Sequence, residues 1–251
     1  MKRVKLIVAY DGTNYSGWQI QPNGITIEEI LNRQISKLTG EDIRIIGASR
    51  TDSGVHALGN VAVFDTESRI PGDRFAYALN QKMPEDIVIV RSDEVQIDWH
   101  PRYQNEISKT YEYHIYNAKV RNPLKNRYST FVSFDLDVEK MRQGAKYILG
   151  EHDFASFCGN PKMKKSTVRE IYSIDISLKG SYLNMTFHGS GFLQYMVRIL
   201  SGTLLEVGFG KREADSMQEL LEAKNRSLAG ATAPAKGLSL LKVHYANQLL
   251  E

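Results

Sequence analysis

Gly47-Ala-Ser-Arg-Thr-Asp-Ser-Gly-Val-His-Ala57 gathers Arg50, Asp52 and His56 among small residues and two glycines. That composition lets the backbone turn tightly and lets a ligand come close. The apolar run Val61 to Phe64 follows at once and reads as a strand, so the loop is carried on a sheet, where catalytic loops are usually mounted. An isolated Arg-x-Asp is more often a solvated, salt-bridged turn. The length of this loop and the chemistry of its surroundings favour a site.

Outward from the loop, strands and helices alternate. Val4 to Ala9 reads as a strand closed by the turn Asp11-Gly12, and Gly17 to Gly24 as loop. Thr26-Ile-Glu-Glu29 is a capping box opening a helix that carries Ile27, Leu31, Ile35 and Leu38 on one face and ends near Gly40. Ile43 to Ile46 reads as a short strand, Arg74 to Gln81 as a second helix and Ile87 to Val90 as a buried strand. In the second half Thr110 to Tyr116 alternates as a strand, and Val138 to Leu149 is an amphipathic helix stopped by Gly150. Val168 to Leu178 and Tyr182 to His188 form a hairpin, Phe192 to Val207 and Glu213 to Lys224 helices, and Leu238 to His244 a closing strand. The expected class is α+β. Two similar halves, residues 1–105 and 106–251, carry mainly antiparallel sheets and form a central cleft.

At 251 residues and 42% hydrophobic, the chain can bury one large core or two smaller ones, with two slightly favoured. Met1 to Tyr10 lacks the long apolar region and small-residue cleavage site of a signal peptide. No stretch approaches the roughly 20 apolar residues of a membrane helix. The lone Cys158 excludes an internal disulfide and a multi-cysteine metal site, and a reducing cytoplasm fits. A net charge of +3 is mild, but its distribution is uneven. Lys109, Lys119, Arg121, Lys125 and Arg127 meet only Glu112 within 109–127 and are interleaved with Tyr111, Tyr113 and Tyr116; Lys162, Lys164, Lys165 and Arg169 follow in an acid-free stretch. Such interleaving suits a polyphosphate with stackable bases, and a solvated positive face would look the same.

Phe192 to Leu205 is apolar on nearly every face, with Arg198 its only charge. A guanidinium stays protonated and is too costly to bury alone, so mid-helix Arg198 faces an anion or reaches solvent. Asp52 is the first candidate, because a nearby cation favours an ionised carboxylate where burial opposes it. Glu206 is the alternative.

Arg50-Thr-Asp-Ser-Gly-Val-His-Ala57 resembles the active-site signature of the TruA family of tRNA pseudouridine synthases. Five more segments are similar to that family's motifs, in order: Tyr10-Asp-Gly-Thr-x-Tyr-x-Gly-Trp18, Trp99-His-Pro-Arg102, Lys109-Thr-Tyr-x-Tyr113, Gly189-Ser-Gly-Phe-Leu-x-x-Met-Val-Arg198 and Thr232-Ala-Pro-Ala-x-Gly-Leu238. Ser53, Trp99, Pro101 and Gln194 depart from the commoner residues and leave the charged positions intact.

The resemblance implies the pseudouridine synthase fold and isomerisation of uridine, with the N1 glycosidic bond broken and a C5 to C1′ bond formed. Atoms and electrons balance, so no cofactor or metal is required. The sequence agrees in having no Walker-type loop, no G-x-G-x-x-G after a strand and no histidine pair at ligand spacing. By the resemblance Asp52 is the nucleophile, at C6 of uracil or C1′ of ribose, with Arg198 keeping it ionised. Tyr111 stacks on the base with its hydroxyl near the C5 proton, an awkward base at a reference pKa near 10. Substrate contacts fall to Arg50, Tyr111, His56, Arg102, Lys109 and Leu238: Arg50 braces a phosphate or fills the gap left by a flipped uridine, Leu238 walls the pocket, and His56 at least pins the loop. The implied partner is tRNA, modified at positions 38 to 40 of the anticodon arm by a cytoplasmic homodimer. Three other readings stand beside it: a non-catalytic RNA-binding protein of this fold, a hydrolase using Ser49 or Ser53 with His56, and a phosphatase built on Asp52.

Overall fold

Alternation decides the first strand. In the computed structural model, which describes residues 1–104, 106–160 and 162–246, β1 (Lys2–Tyr10) buries Val4, Leu6, Val8 and Tyr10 while the residues between them are less covered. Helix α1 (Ile27–Thr39) starts as its capping box requires: Thr26 Oγ1 accepts the Glu29 N–H at 3.3 Å. It ends at Gly40, whose φ of 77° suits a residue without Cβ. β2 (Ile46–Gly47) pairs antiparallel with β3 (His56–Thr66), and β3 pairs antiparallel with β1. After α2 (Phe75–Asn80), whose Phe75 ring meets Phe64 of β3 edge-on at 5.2 Å, β4 (Ile87–Val95) pairs with the other side of β1. The closing strand β10 (Leu238–His244) runs parallel to β3, with Ser239 opposite His56 and Leu240 opposite Ala57.

Three details of this region differ from the sequence reading. Of Ile43 to Ile46 only Ile46 is in a strand, because α1 side chains take the donors a ladder would use. The Ile43 N–H goes to Ser36 Oγ and the Ile45 N–H to Asn32 Oδ1, each at 2.9 Å. β3 begins at His56 rather than Val61, since β1 extends far enough to place Tyr10 opposite Ala57. β4 is half-exposed rather than buried: Val88 and Val90 alternate outward.

The strands of the second unit are built on β5 (Ser108–Asn117), which carries Tyr111 opposite Phe187 of β9 (Tyr182–Gly189). β8 (Val168–Lys179) forms the expected hairpin with β9. Two short strands went unread: β6 (Thr130–Val132), parallel to β5, and β7 (Gly150–Asp153), antiparallel to β8. Strands of three and four residues are too short to display a period. Helix α3 (Val138–Lys146) stops before Leu149 because the N–H groups of Tyr147, Ile148 and Leu149 reach carbonyls only three residues back. Helix α4 (Met196–Gly208) starts four residues later than the apolar run; Tyr195 has φ of 60°, outside helical space, and Phe192 to Tyr195 form an irregular lead-in. The last helix is α5 (Ser216–Ala223).

The chain divides into two units, Met1–Ile107 with Ser239–Glu251, and Ser108–Leu238. A sequence boundary at 105/106 leaves the closing strand with the second half, whereas its pairing with β3 groups it with the first. Within the second unit α4 is buried on nearly every side, and the chain near Ala231 crosses it in direct backbone contact. A Cβ at Gly202 would stand 1.9 Å from the Ala231 carbonyl oxygen. Gly202→Ala is therefore expected to lose about 1–3 kcal/mol of stability in urea unfolding; a variant as stable as the parent would contradict this packing.

Candidate active site

In the first unit the segment Tyr10 to Trp18 seats the Asp52 loop. Trp18 N–H donates to Thr51 O at 3.0 Å, and the Gly54 N–H and Ser53 Oγ both donate to Tyr15 O, at 3.4 and 3.2 Å. Tyr10 and Thr51 share a hydroxyl hydrogen bond of 2.8 Å. At Gly12 the backbones touch: a Cβ there would stand 2.0 Å from Val55 O. Within the loop Val55 N–H donates to Asp52 O at 3.1 Å, closing a turn with Gly54 at φ 77°. Asp52 itself is half-buried. Ser53, a nucleophile in the hydrolase reading, directs its hydroxyl proton to Tyr15 O.

The sequence reading passed over Asn60, which brackets the other end of the loop. Wholly buried, its Nδ2 donates to Ser49 O at 3.0 Å and to Tyr10 Oη at 3.3 Å, while its Oδ1 accepts the Ser49 N–H at 3.3 Å. Its signal was a lone amide inside Gly59-Asn-Val-Ala-Val-Phe64, since a buried amide has to be satisfied by something. His56 is buried on β3, with Nδ1 accepting the Gly12 N–H at 3.1 Å and lying 3.1 Å from Asp11 Oδ1. An Nδ1 that accepts has no proton for the Asp11 carboxylate, so the Gly12 N–H is the contact that ties the ring to the Asp11-Gly12 turn.

Two arginines flank this loop. Arg50 is exposed, and its Nη1 donates to Gln19 Oε1 at 3.1 Å. Arg102, also exposed, holds the start of the loop by donating Nε to Gly47 O at 2.6 Å. Its own N–H donates to His100 Nδ1 at 3.0 Å. Burial, with Arg102 and Arg3 nearby, holds His100 below the usual imidazole range, which suits that accepting nitrogen.

In the second unit Tyr111 is 7% exposed on β5, its ring edge-on to Phe192 with centroids 5.3 Å apart. Arg198 lies in the first turn of α4 rather than mid-helix. It grips Ala233 twice: Nε donates to Ala233 O at 2.8 Å, and its carbonyl accepts the Ala233 N–H at 3.1 Å. Its guanidinium lies 5.1 Å from the Tyr195 ring centroid. Glu206, the alternative carboxylate, receives Arg212 Nε at 2.5 Å.

Two residues along from Tyr111 and on the same face, Tyr113 is wholly buried and donates its hydroxyl to Pro234 O at 2.9 Å. Thr130, 2.6 Å away, must then donate to Tyr113. Burial pushes the Tyr113 phenol up to about 12, with Thr130 and then Arg198 opposing, so this hydroxyl keeps its proton. The segment Thr232 to Leu238 is thus pinned by Arg198 at one end and Tyr113 in its middle. Leu238 follows, buried, and Lys109 sits half-buried on β5 opposite Gly189. Among the described residues no group of three or more His, Cys, Asp or Glu could hold a metal ion, and no helix is long and apolar enough to cross a membrane.

Residues 6–104 and 145–246 match the family described as tRNA pseudouridine synthase. The chain is 49% identical to tRNA pseudouridine synthase A of Acetivibrio thermocellus, covering 98% of this chain and 100% of that protein. It is 44% identical to the proteins of the same name from Thermoanaerobacter sp. (strain X514) and Brevibacillus brevis, again over 98% and 100%. Among solved structures, an archaeal box H/ACA sRNP Nop10-Cbf5 complex aligns at 10% identity and a TM-score of 0.35 over 94% of this chain and 45% of that one, too distant to carry an argument.

Asn60→Ala strands buried groups of Ser49 and Tyr10 and is expected to cost about 1–3 kcal/mol in urea unfolding; parental stability would show that the bracket is idle. Tyr113 sets an alkaline limit. Below pH 10 it is protonated whether folded or not; above that the unfolded chain ionises while the folded phenol holds on to about pH 12, so stability falls as pH rises. Tyr15 and Tyr245, raised chiefly by burial as well, add to the same trend. Denaturation curves between pH 9 and 11 are expected to fall less steeply for Tyr113→Phe; equal slopes would contradict the assignment.

Proposed function

We propose, for a chain that belongs to the tRNA pseudouridine synthase family and isomerises uridine in tRNA to pseudouridine, that Asp52 is the nucleophile and Arg198 its ionic partner. Asp52 attacks C6 of uracil or C1′ of ribose, and the N1–C1′ bond breaks. The freed base turns, C5 bonds to C1′, the bond from Asp52 to C6 or C1′ breaks and returns its electron pair to the carboxylate, and the proton lost at C5 is balanced by one gained at N1. Only an ionised carboxylate serves either attack, and a guanidinium beside it favours that form.

The observation that carries this reading is the seating of the Asp52 loop, held by Tyr15 O, Trp18 N–H and the Tyr10 hydroxyl. A nucleophile fixed in this way spends little freedom on reaching its target. Arg198, doubly bound to Ala233, is equally constrained in direction. Tyr111 supplies the ring that stacks on uracil, steadied by Phe192, with its hydroxyl toward the C5 proton. Tyr113, with its proton committed to Pro234, is left out of the proton transfer.

Arg50, exposed two residues before Asp52, braces a phosphate beside the flipped uridine or fills the space it vacates, and Arg102 and Lys109 hold neighbouring phosphates. Leu238 walls the pocket, and His56 acts by pinning the loop. The target is the anticodon arm at positions 38 to 40, and the working enzyme is a cytoplasmic homodimer with both subunits engaging one tRNA. That last part rests on the family resemblance alone.

Asp52→Ala is expected to bind tRNA within about twofold of the parent while tritium release from 5-tritiated uridine falls by about 10⁴-fold. Arg198→Lys should slow release by about 10²-fold. Undiminished release from Asp52→Ala would contradict the nucleophile assignment, and no release from the parent on any tRNA would favour the non-catalytic RNA-binding alternative.

A further inference from the structure

The burial pattern of β5 separates two faces. Tyr111, Tyr113 and Ile115 are buried on one, whereas Glu112, His114 and Tyr116 are only half-buried on the other. On that second face Tyr116 stands opposite Phe131 of β6 and opposite Tyr182 of β9. The three rings form a row across three adjacent strands, with centroids 6.4 Å apart from Phe131 to Tyr116 and 5.7 Å from Tyr116 to Tyr182. A cation lies at each end: the Arg121 guanidinium 5.8 Å from the Phe131 centroid and Lys125 Nζ 5.3 Å from that of Tyr182.

Both cations come from the β5–β6 connection, residues 118–129, which holds Lys119, Arg121, Lys125 and Arg127 and no acid. Lys236 joins them, its Nζ on Asn126 Oδ1 at 2.6 Å. Asp135 answers Lys119 at 2.9 Å, and Glu112, farther along the same face, accepts from Thr186 at 3.1 Å. Leu124 and Tyr128 on the connection are 85% and 51% exposed.

We infer that this face is a second tRNA contact, taking unstacked nucleotides on the Phe131–Tyr116–Tyr182 row and their phosphates on Arg121 and Lys125. A solvent-facing sheet gains little stability from three part-exposed rings. Rings flanked by acid-free cations are what a single strand requires, because every base has a face to stack and every linkage a charge to answer. Lys125 hydrogen-bonds Tyr182 and so stands at the edge of the row, with Arg121 at the other end, where both can turn to the phosphates of a strand stacked on the rings.

The nucleotides bound here are not the reacting uridine. Tyr116 is five residues from Tyr111, about 17 Å along a strand, and faces the opposite way. The contact therefore serves affinity and leaves chemistry alone. It rests on the tRNA reading above and adds to it a place on the protein and a mode of recognition.

Two double variants test it. Arg121→Gln with Lys125→Gln alters exposed side chains only, and Phe131→Leu with Tyr182→Leu keeps apolar cover while removing the rings. Whole tRNA is titrated over a range of salt, and tritium release is followed at saturating enzyme. The expected result is about tenfold weaker binding for each pair and, for the glutamine pair, a salt slope lower by about 1 to 2, with release at saturation within about twofold of the parent. Unchanged affinity and slope would overturn the inference and leave the Asp52 reading intact, since release continues. Weaker release at unchanged affinity would equally overturn it, marking the rings as structural support for the site. A parent that neither binds tRNA nor releases tritium would remove both readings together.

Discussion

Val55 O lies 2.0 Å from where a Cβ on Gly12 would stand, and the rest of the first unit's site depends on that bare backbone contact. Any side chain there would lift the Asp52 loop off its seat. With the loop down, Tyr15 O, Trp18 N–H and the Tyr10 hydroxyl reach it, and buried Asn60 clasps its far end at Ser49. These contacts to the loop come from backbone groups, a hydroxyl and an amide. Backbone and amide hydrogen bonds do not titrate in the working pH range, so the seat persists whatever the charge on Asp52.

The second unit reaches the same end by the same means. Gly202 lets the chain near Ala231 lie on α4, and Arg198 then holds Ala233 by side chain and backbone together. Tyr113 secures Pro234, with its phenol pushed up to about 12 by burial, so this anchor fails only in strong base. In each unit a candidate site residue is set by a backbone seat that sequence-distant residues provide.

Local rules read correctly wherever local chemistry decides. The capping box at Thr26, the left-handed stop at Gly40 and the β8–β9 hairpin all follow from neighbours in sequence. Some of the errors have distant causes and some lie in a single residue's backbone. Ile43 and Ile45 look like a strand, but α1 claims their N–H groups through Ser36 and Asn32. Phe192 to Tyr195 continue an apolar helical pattern, but Tyr195 adopts φ of 60° and the helix starts after it, which moves Arg198 into a first turn. Asn60 escaped notice because its partners lie at Ser49 and Tyr10, 11 and 50 residues away. The motif residues were visible from the sequence. What holds them still was not, since each support is a contact across the chain.

The most direct measurement is a crystal structure of the enzyme with substrate tRNA bound. The account predicts the Asp52 carboxylate within about 4 Å of the Arg198 guanidinium, and a flipped uridine resting on the Tyr111 ring. A uridine lodged elsewhere, or Asp52 turned to a different cation with Arg198 facing solvent, would contradict it.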